Sequence, residues 1–263
     1  MFRGTVDRRL GLSFASHSSM PEGPSIVILK EQAAKFKGHT ILAVSGNTKV
    51  DTTGIAGQKV LAFRSWGKHF LIQLPDRTIR IHFMLFGSYS INEQTKPNPR
   101  LHLHFNTGDL FFYACSVKIL TGNLDEWYDW SADVMNDRWN PHKARKKLKE
   151  MPDELVADAL LDQDLFAGVG NIIKNEVLFR IRVHPETRVG ALPPRKLTEL
   201  IREARNYSFD FLEWKKAYEL RKNWLVHAKS ICPRCVIPLV KVKHLGKRKR
   251  RAFYCENCQK RYE

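Results

Sequence analysis

Residues 160–176 read LLDQDLFAGVGNIIKNE. An apolar run closes on Gly168-Val169-Gly170, and Asn171 then opens a second run, NIIKNEVLFRI, at helical spacing. Two glycines around one valine allow close backbone approach, and the helix that follows starts with unpaired N–H groups aimed at whatever lies in front of the turn. On both sides of this turn the chain reads as helix. KARKKLKE (143–150), ELVADALL (154–161) and RKLTELIREARNY (195–207) complete a four-segment set that begins after Asn140-Pro141, an N-cap residue followed by a first-turn proline. The helical part is expected to run to about Tyr207.

Upstream the period changes to two. ILAV (41–44), KVLAF (59–63), HFLIQL (69–74), TIRIHF (78–83), GSYSI (87–91), RLHLHF (100–105) and DLFFYA (109–114) are short strands separated by turn residues, the pattern of an antiparallel β-sandwich or barrel. A helix precedes them from Pro24, with Ile26, Leu29, Ala33 and Phe36 on one face and Gly38 as its stop. Residues 121–139 are Trp-rich and have no clear period. The fold class is therefore α+β: an N-terminal helix with an antiparallel β-sandwich over 20–139, a helical domain over 140–231, and a last module over 232–263.

That last module carries Cys232-Pro-Arg-Cys235 and, 19 residues on, Cys255-Glu-Asn-Cys258. Two CxxC knuckles at this separation supply four thiolates to one tetrahedral Zn²⁺. With all four positions filled by protein the zinc is structural. Cys115, in FFYACS, reads as a buried strand residue. Between the knuckles lies Lys247-Arg248-Lys249-Arg250-Arg251. Five consecutive cations repel one another; they form either a solvated face or a hairpin tip presented to phosphates, and the second is the stronger reading.

Composition supports it. The 263 residues hold 44 Lys+Arg against 27 Asp+Glu, a net charge of +17. No stretch reaches the roughly 18 apolar residues of a membrane span. The expected partner is polyanionic, nucleic acid ahead of a membrane surface, with binding that weakens steeply with salt. In that setting the GVGN turn becomes a candidate clamp on a DNA phosphate.

Residues 1–19 (MFRGTVDRRLGLSFASHSS) differ from the rest: three arginines against one acid, four serines, no period. They read either as residues upstream of a true start at Met20 or as a targeting segment, the former being preferred. From Met20 the chain runs Met-Pro21-Glu22-Gly23-Pro24. Freed of Met20, Pro21 exposes a secondary amine able to attack a sugar C1′ and form an iminium, with Glu22 beside it to move the proton.

Taken together, MPEGP, WGKHF (66–70), IHFMLFG (81–87), LLDQDLFAGVGNIIKNE and CPRC…CENC closely resemble the formamidopyrimidine-DNA glycosylase/endonuclease VIII family of base-excision repair enzymes, with a lean toward the endonuclease VIII branch. The resemblance covers residues 20–263. It implies a helix–two-turn–helix domain ending in a zinc-finger β-hairpin, one structural Zn²⁺, and a bifunctional DNA glycosylase/AP lyase that acts on damaged double-stranded DNA by β,δ-elimination. By position it implies Pro21 as nucleophile, Glu22 as general acid/base, Lys68 as DNA contact and proton donor, and Arg250, with Arg251 as alternative, at a phosphate during δ-elimination. It further implies His82 as a backbone contact, Gly168, Gly170 and Asn171 gripping a phosphate with Glu176 in support, and Met84-Leu85-Phe86, on a strand-to-strand turn, as an apolar wedge for the space of an everted base. A plain core role for those three residues is the competing reading. The short stretch between Tyr207 and Cys232 lacks a long lesion-capping loop and favours oxidised pyrimidines. With Ser19-Met20 still attached, Pro21 nitrogen is a tertiary amide and the chain is expected to be inactive. A monomeric, intracellular, DNA-associated protein is expected. The alternative function is a non-catalytic zinc-ribbon protein that binds nucleic acid or damaged DNA, which would need neither Pro21-Glu22 nor Lys68.

Overall fold

The computed structural model describes residues 21–263; the reading of residues 1–19 and of Met20 lies outside them. Helix α1 (Gly23–Ala33), extended by a 3₁₀ turn over Ala34–Phe36, leads into strands β1 (Ile41–Ser45), β2 (Ala62–Trp66), β3 (His69–Gln73), β4 (Thr78–Ile91), β5 (Leu101–Phe105) and β6 (Gly108–Leu120). A one-turn α2 (Leu124–Trp127) opens the connection to α3 (Pro141–Lys149), α4 (Val156–Ala159), α5 (Asn171–Arg180) and α6 (Pro194–Lys216). A hairpin of β7 (Val240–Leu245) and β8 (Arg250–Tyr254) ends the chain. The α+β class and its order, sheet then helices then cysteine-bearing hairpin, are as the sequence predicts. Among the described residues no helix is long and apolar enough to cross a membrane.

The first six strands form one antiparallel sheet in the order β1-β5-β6-β4-β3-β2. Its long strands β4 and β6 are shared by two halves, β3 and β2 on one side and β5 and β1 on the other. Both halves bury side chains in one core: Phe70, Ile72, Ile79 and Ile81 from the first, Leu101, Leu103, Phe105 and Phe112 from the second, with Ile26, Leu29 and Phe36 of α1. The expected sandwich is thus a single sheet closing over its own core.

Three expectations are corrected. TIRIHF and GSYSI are one strand, because the ladder resumes at Ser88↔Tyr113 after Phe83↔Cys115. Residues 84–87 bulge out opposite Ala114, whose φ of +45° marks the distortion. Met84-Leu85-Phe86 therefore sit on a mid-strand bulge, not on a turn between strands. In the helical part, ELVADALL forms only the single turn α4, while α6 runs on to Lys216, since Phe211 and Leu212 continue the buried face of Leu197, Leu200, Ile201 and Ala204.

Sheet and helical part meet where three backbones touch. Gly23 at the start of α1, Gly67 in the β2–β3 turn and Gly168 before α5 lie so close that a Cβ on Gly23 would fall 2.9 Å from Gly168 Cα, and one on Gly67 2.9 Å from Gly168 N. Gly23 N–H donates to Gly168 C=O at 2.9 Å. Gly168 itself has φ +100°, with Gly23 Cα 3.3 Å and Gly67 Cα 3.5 Å from where its Cβ would be. Gly168→Ala is expected to cost about 1–3 kcal/mol through backbone strain at this contact. Chemical denaturation measures it; an unchanged midpoint would mean that the three segments do not depend on one another.

Candidate active site

Glu22 caps α1 through its backbone, its C=O accepting from Ser25 N–H at 2.8 Å. Its side chain points the other way, into the N-terminus of α5. Oε1 accepts from Ile172 N–H at 2.7 Å, and Oε2 from Gly170 N–H at 3.1 Å and Ile173 N–H at 3.2 Å. The residue is 1% exposed. Gly170 is needed here because any Cβ would overlap the Glu22 carboxyl. Burial raises the pKa of Glu22; the Lys68 charge and the three N–H donors oppose it.

Lys68 follows Gly67 in the tight β2–β3 turn. That turn is held from the helical side: Gly67 N–H donates to Asp133 Oδ2 at 3.0 Å, and Trp66 Nε1–H to the Asp129 carbonyl at 2.9 Å. Asp133 Oδ1 accepts from Met135 N–H at 2.9 Å. Buried beneath the turn, Asp133 is pushed up to about 6, chiefly by loss of solvent. Lys68 is lowered to about 8, first by burial and then by the charges of Arg250 and Arg248, with Glu22 opposing. An amine near neutrality beside a buried carboxyl can both give and take protons.

The far side of α5 carries the hairpin. Lys174 Nζ donates to the Arg251 carbonyl at 2.7 Å, and Asn175 Oδ1 accepts from Phe253 N–H at 3.2 Å. Glu176, fully buried, accepts from Leu225, Val226 and His227 N–H at 2.9, 3.0 and 2.7 Å. Lys174 is 1% exposed and lowered to about 7 by burial, with Arg250 adding. Neither Lys174 nor Asp133 stood out in the sequence. The only signal was a Lys-Asn-Glu triplet inside a helix buried on every side.

The basic run divides. Lys247 and Arg248 donate their backbone N–H groups to Asp158, and their side chains pair with Glu154 at 2.6 Å and Asp162 at 2.9 Å. Those two cations therefore tie the hairpin tip to the helical part. Arg250 lowers the pKa of both Lys68 and Lys174, whereas Arg251 acts on His227.

Other predicted positions come out unevenly. The amides of the GVG turn do not face an open anion site: Gly168 N–H donates to Gln163 Oε1 at 3.2 Å, Val169 N–H to the Phe166 carbonyl, and Gly170 N–H to Glu22. The anion at this helix N-terminus is the protein's own carboxylate. Asn171 is what remains for a ligand there, its Oδ1 buried without a hydrogen-bond partner. Glu176 is buried away from any ligand and acts by holding backbone. His82 is partly buried and its ring stands edge-on to His69 at 5.1 Å; burial and the Lys68 charge lower its pKa. Met84, Leu85 and Phe86 are 57%, 55% and 68% exposed, which removes the plain core reading. Cys115 is buried as expected.

Cys232, Cys235, Cys255 and Cys258 converge with their sulfurs within 4.8 Å of one another. All four are free thiols, and Cys232 and Cys258 Sγ are 3.8 Å apart. Tetrahedral zinc with bonds of about 2.3 Å sets its sulfurs roughly 3.8 Å apart. The four residues thus fit the metal that the spacing predicts, and they pack on Phe179 at the end of α5.

Comparison with known proteins gives the same assignment. Residues 20–116 match the formamidopyrimidine-DNA glycosylase N-terminal domain, and residues 131–209 the formamidopyrimidine-DNA glycosylase H2TH domain. The chain is 27% identical over 236 residues to endonuclease 8-like 3 of Xenopus laevis, covering 84% of this chain and 38% of that one. It thus spans well under half the length of that relative. It is 27% identical to the formamidopyrimidine-DNA glycosylase of Carboxydothermus hydrogenoformans, covering 92% of this chain and 100% of the other. Among solved structures, a Lactococcus lactis formamidopyrimidine-DNA glycosylase bound to AP-site DNA superposes with TM-score 0.81 at 19% identity, covering 91% and 100% of the two chains. A viral DNA glycosylase does so at 0.78 and 23%, with the same coverage. The chain belongs to the formamidopyrimidine-DNA glycosylase/endonuclease VIII family, on the side of its endonuclease VIII-like members.

Proposed function

We propose that this protein is a bifunctional DNA glycosylase/AP lyase that removes oxidised bases, pyrimidines ahead of purines, from double-stranded DNA once Pro21 is the first residue. The observation that carries the reading is the convergence at the N-terminal end of α5. Pro21 adjoins a fully buried Glu22, the Lys68 charge acts on that carboxyl, and the Arg250 charge acts on Lys68. A pure binding module has no use for a buried carboxyl and a depressed amine beside Pro21.

In this mechanism Pro21 nitrogen attacks C1′ of the damaged nucleotide, and the base leaves with a proton. The C1′–O4′ bond then opens, the ring oxygen gains a proton through Glu22, and C1′ is left as an iminium on Pro21. Loss of a C2′ proton expels the 3′ phosphate, and a second elimination expels the 5′ phosphate. Lys68 supplies the proton in the first elimination. Arg250 receives the departing phosphate in the second, with Arg251 as the alternative. His82 and Asn171 contact the DNA backbone. Met84-Leu85-Phe86 enter the stack where the nucleotide is everted, which returns part of the few kcal/mol that eversion costs. Zn²⁺ on the four cysteines supplies structural cross-linking, holding the hairpin that carries Arg250.

Borohydride trapping on an abasic-site duplex tests the nucleophile. A protein beginning at Pro21, its N-terminus verified by mass, is expected to form a covalent complex; one beginning at residue 1 and Pro21→Gly are expected to form none or far less. Absence of a complex from the verified Pro21 start would favour a non-catalytic damaged-DNA binder.

The alkaline side of the pH profile tests Lys68. Because burial lowers its amine to about 8 and the donor role needs the protonated form, kcat/KM for strand nicking is expected to fall above about pH 8. A profile flat to well past pH 9 would remove Lys68 from that role.

A further inference from the structure

Three ligand-type side chains meet on the outer face of the sheet with no part in the chemistry above. Leu101, Leu103 and Phe105 of β5 point into the core, so His102 and His104 share the opposite face. Antiparallel register sets Asp109 of β6 directly across from His104. Asp109 Oδ1 lies 2.7 Å from His102 Nε2 and 2.9 Å from His104 Nδ1, and the three ligand atoms fall within 4.8 Å of one another. His102 is fixed from two more sides. Its Nδ1 is 3.0 Å from Ser45 Oγ on β1, and its ring stacks on Phe111 at 4.2 Å with planes 9° apart. The backbone N–H of Asp109 is held by Asn92 Oδ1 at 3.2 Å.

We propose that His102, His104 and Asp109 form a binding site for a borderline divalent transition-metal ion of the zinc class, separate from the four-cysteine site. Two imidazoles and one carboxylate are the donor set for such ions, whereas Mg²⁺ and Ca²⁺ take oxygen alone. Ligand atoms about 2.1 Å from a tetrahedral ion stand roughly 3.4 Å apart, so the two short contacts open by about half an ångström, which small side-chain rotations supply. Binding uses His102 Nε2 and His104 Nδ1 as unprotonated donors. His102 then keeps its proton on Nδ1 and donates it to Ser45 Oγ, the second partner that orients a metal-bound imidazole. Without metal, both rings must instead donate to the same carboxylate oxygen.

Three protein ligands leave a position for water. The site is remote from Lys68: Ser116, opposite His82, and Asp109 are seven residues apart on β6. That is about 23 Å of strand. The ion would therefore brace β1, β5 and β6 at their outer end without entering the cleft.

Equilibrium dialysis of the protein, its cysteine site filled with zinc, against micromolar zinc tests the assignment by elemental analysis. Wild type is expected to hold a second zinc per chain. His104→Ala and Asp109→Asn are expected to hold only the first. Ser45→Ala is expected to keep the second site but weaken it by about 10- to 100-fold. Added zinc should raise the melting temperature of wild type and leave the two ligand variants unmoved. A single zinc in folded wild type, or a second zinc that survives both ligand variants, would overturn the proposal. Equal affinity in Ser45→Ala would remove the orienting contact from it.

Discussion

Everything about the candidate site follows from one carboxyl group at one helix end. Taking Glu22 fully out of water costs several kcal/mol in hydration. Three backbone N–H donors and the positive end of α5 offset that loss, each donor doing more for an anion than for a neutral acceptor. Glu22 caps α1 and its donors lie 148 to 151 residues further on, so the bond also joins the N-terminal part to the helical part. The glycine contact of Gly23, Gly67 and Gly168 is its geometric counterpart: without it the carboxyl could not reach the amides.

The same helix organises the other side. Lys174 and Asn175 hold β8 by its backbone, Glu176 holds residues 225–227, and Phe179 receives the four-cysteine module. Three consecutive polar side chains in the middle of a buried helix are costly unless each is paired. Here each is, and each pairing fixes a separate segment to α5. The acids Glu154, Asp158 and Asp162 do the same for the hairpin tip through Lys247 and Arg248.

Local chemistry was legible in the sequence, and pairing over distance was not. Four cysteines at knuckle spacing have one economical arrangement, and they adopt it. Strand alternation was equally clear, except where Met84-Leu85-Phe86 interrupted it. An apolar triplet between two strand patterns looks the same whether it turns the chain or bulges from it, and only Ala114 on the facing strand separates the two. Sequence also shows that the GVGN turn presents amides to an anion. It cannot show that the anion is Glu22, because that depends on how two distant segments pack. Asp133 was invisible for the same reason: its role is defined by Gly67, on another element. The continuation of α6 past Tyr207 was masked by aromatic residues that suit helix and strand alike.

The charges left around Glu22 do not balance. Burial lowers Lys68 to about 8 and Lys174 to about 7, the Arg250 charge lowers both further, and Glu22 opposes. A protein gains no stability from such crowding, since each buried amine is driven toward its neutral form. The arrangement becomes favourable when further negative charge enters. Backbone phosphates brought alongside would raise both amines again, so that docking and proton uptake are one linked event. On the proposed mechanism this linkage has a use. The lysine that must donate a proton during elimination is most fully protonated while DNA is bound, and the site's internal strain is relieved by its substrate rather than by the fold.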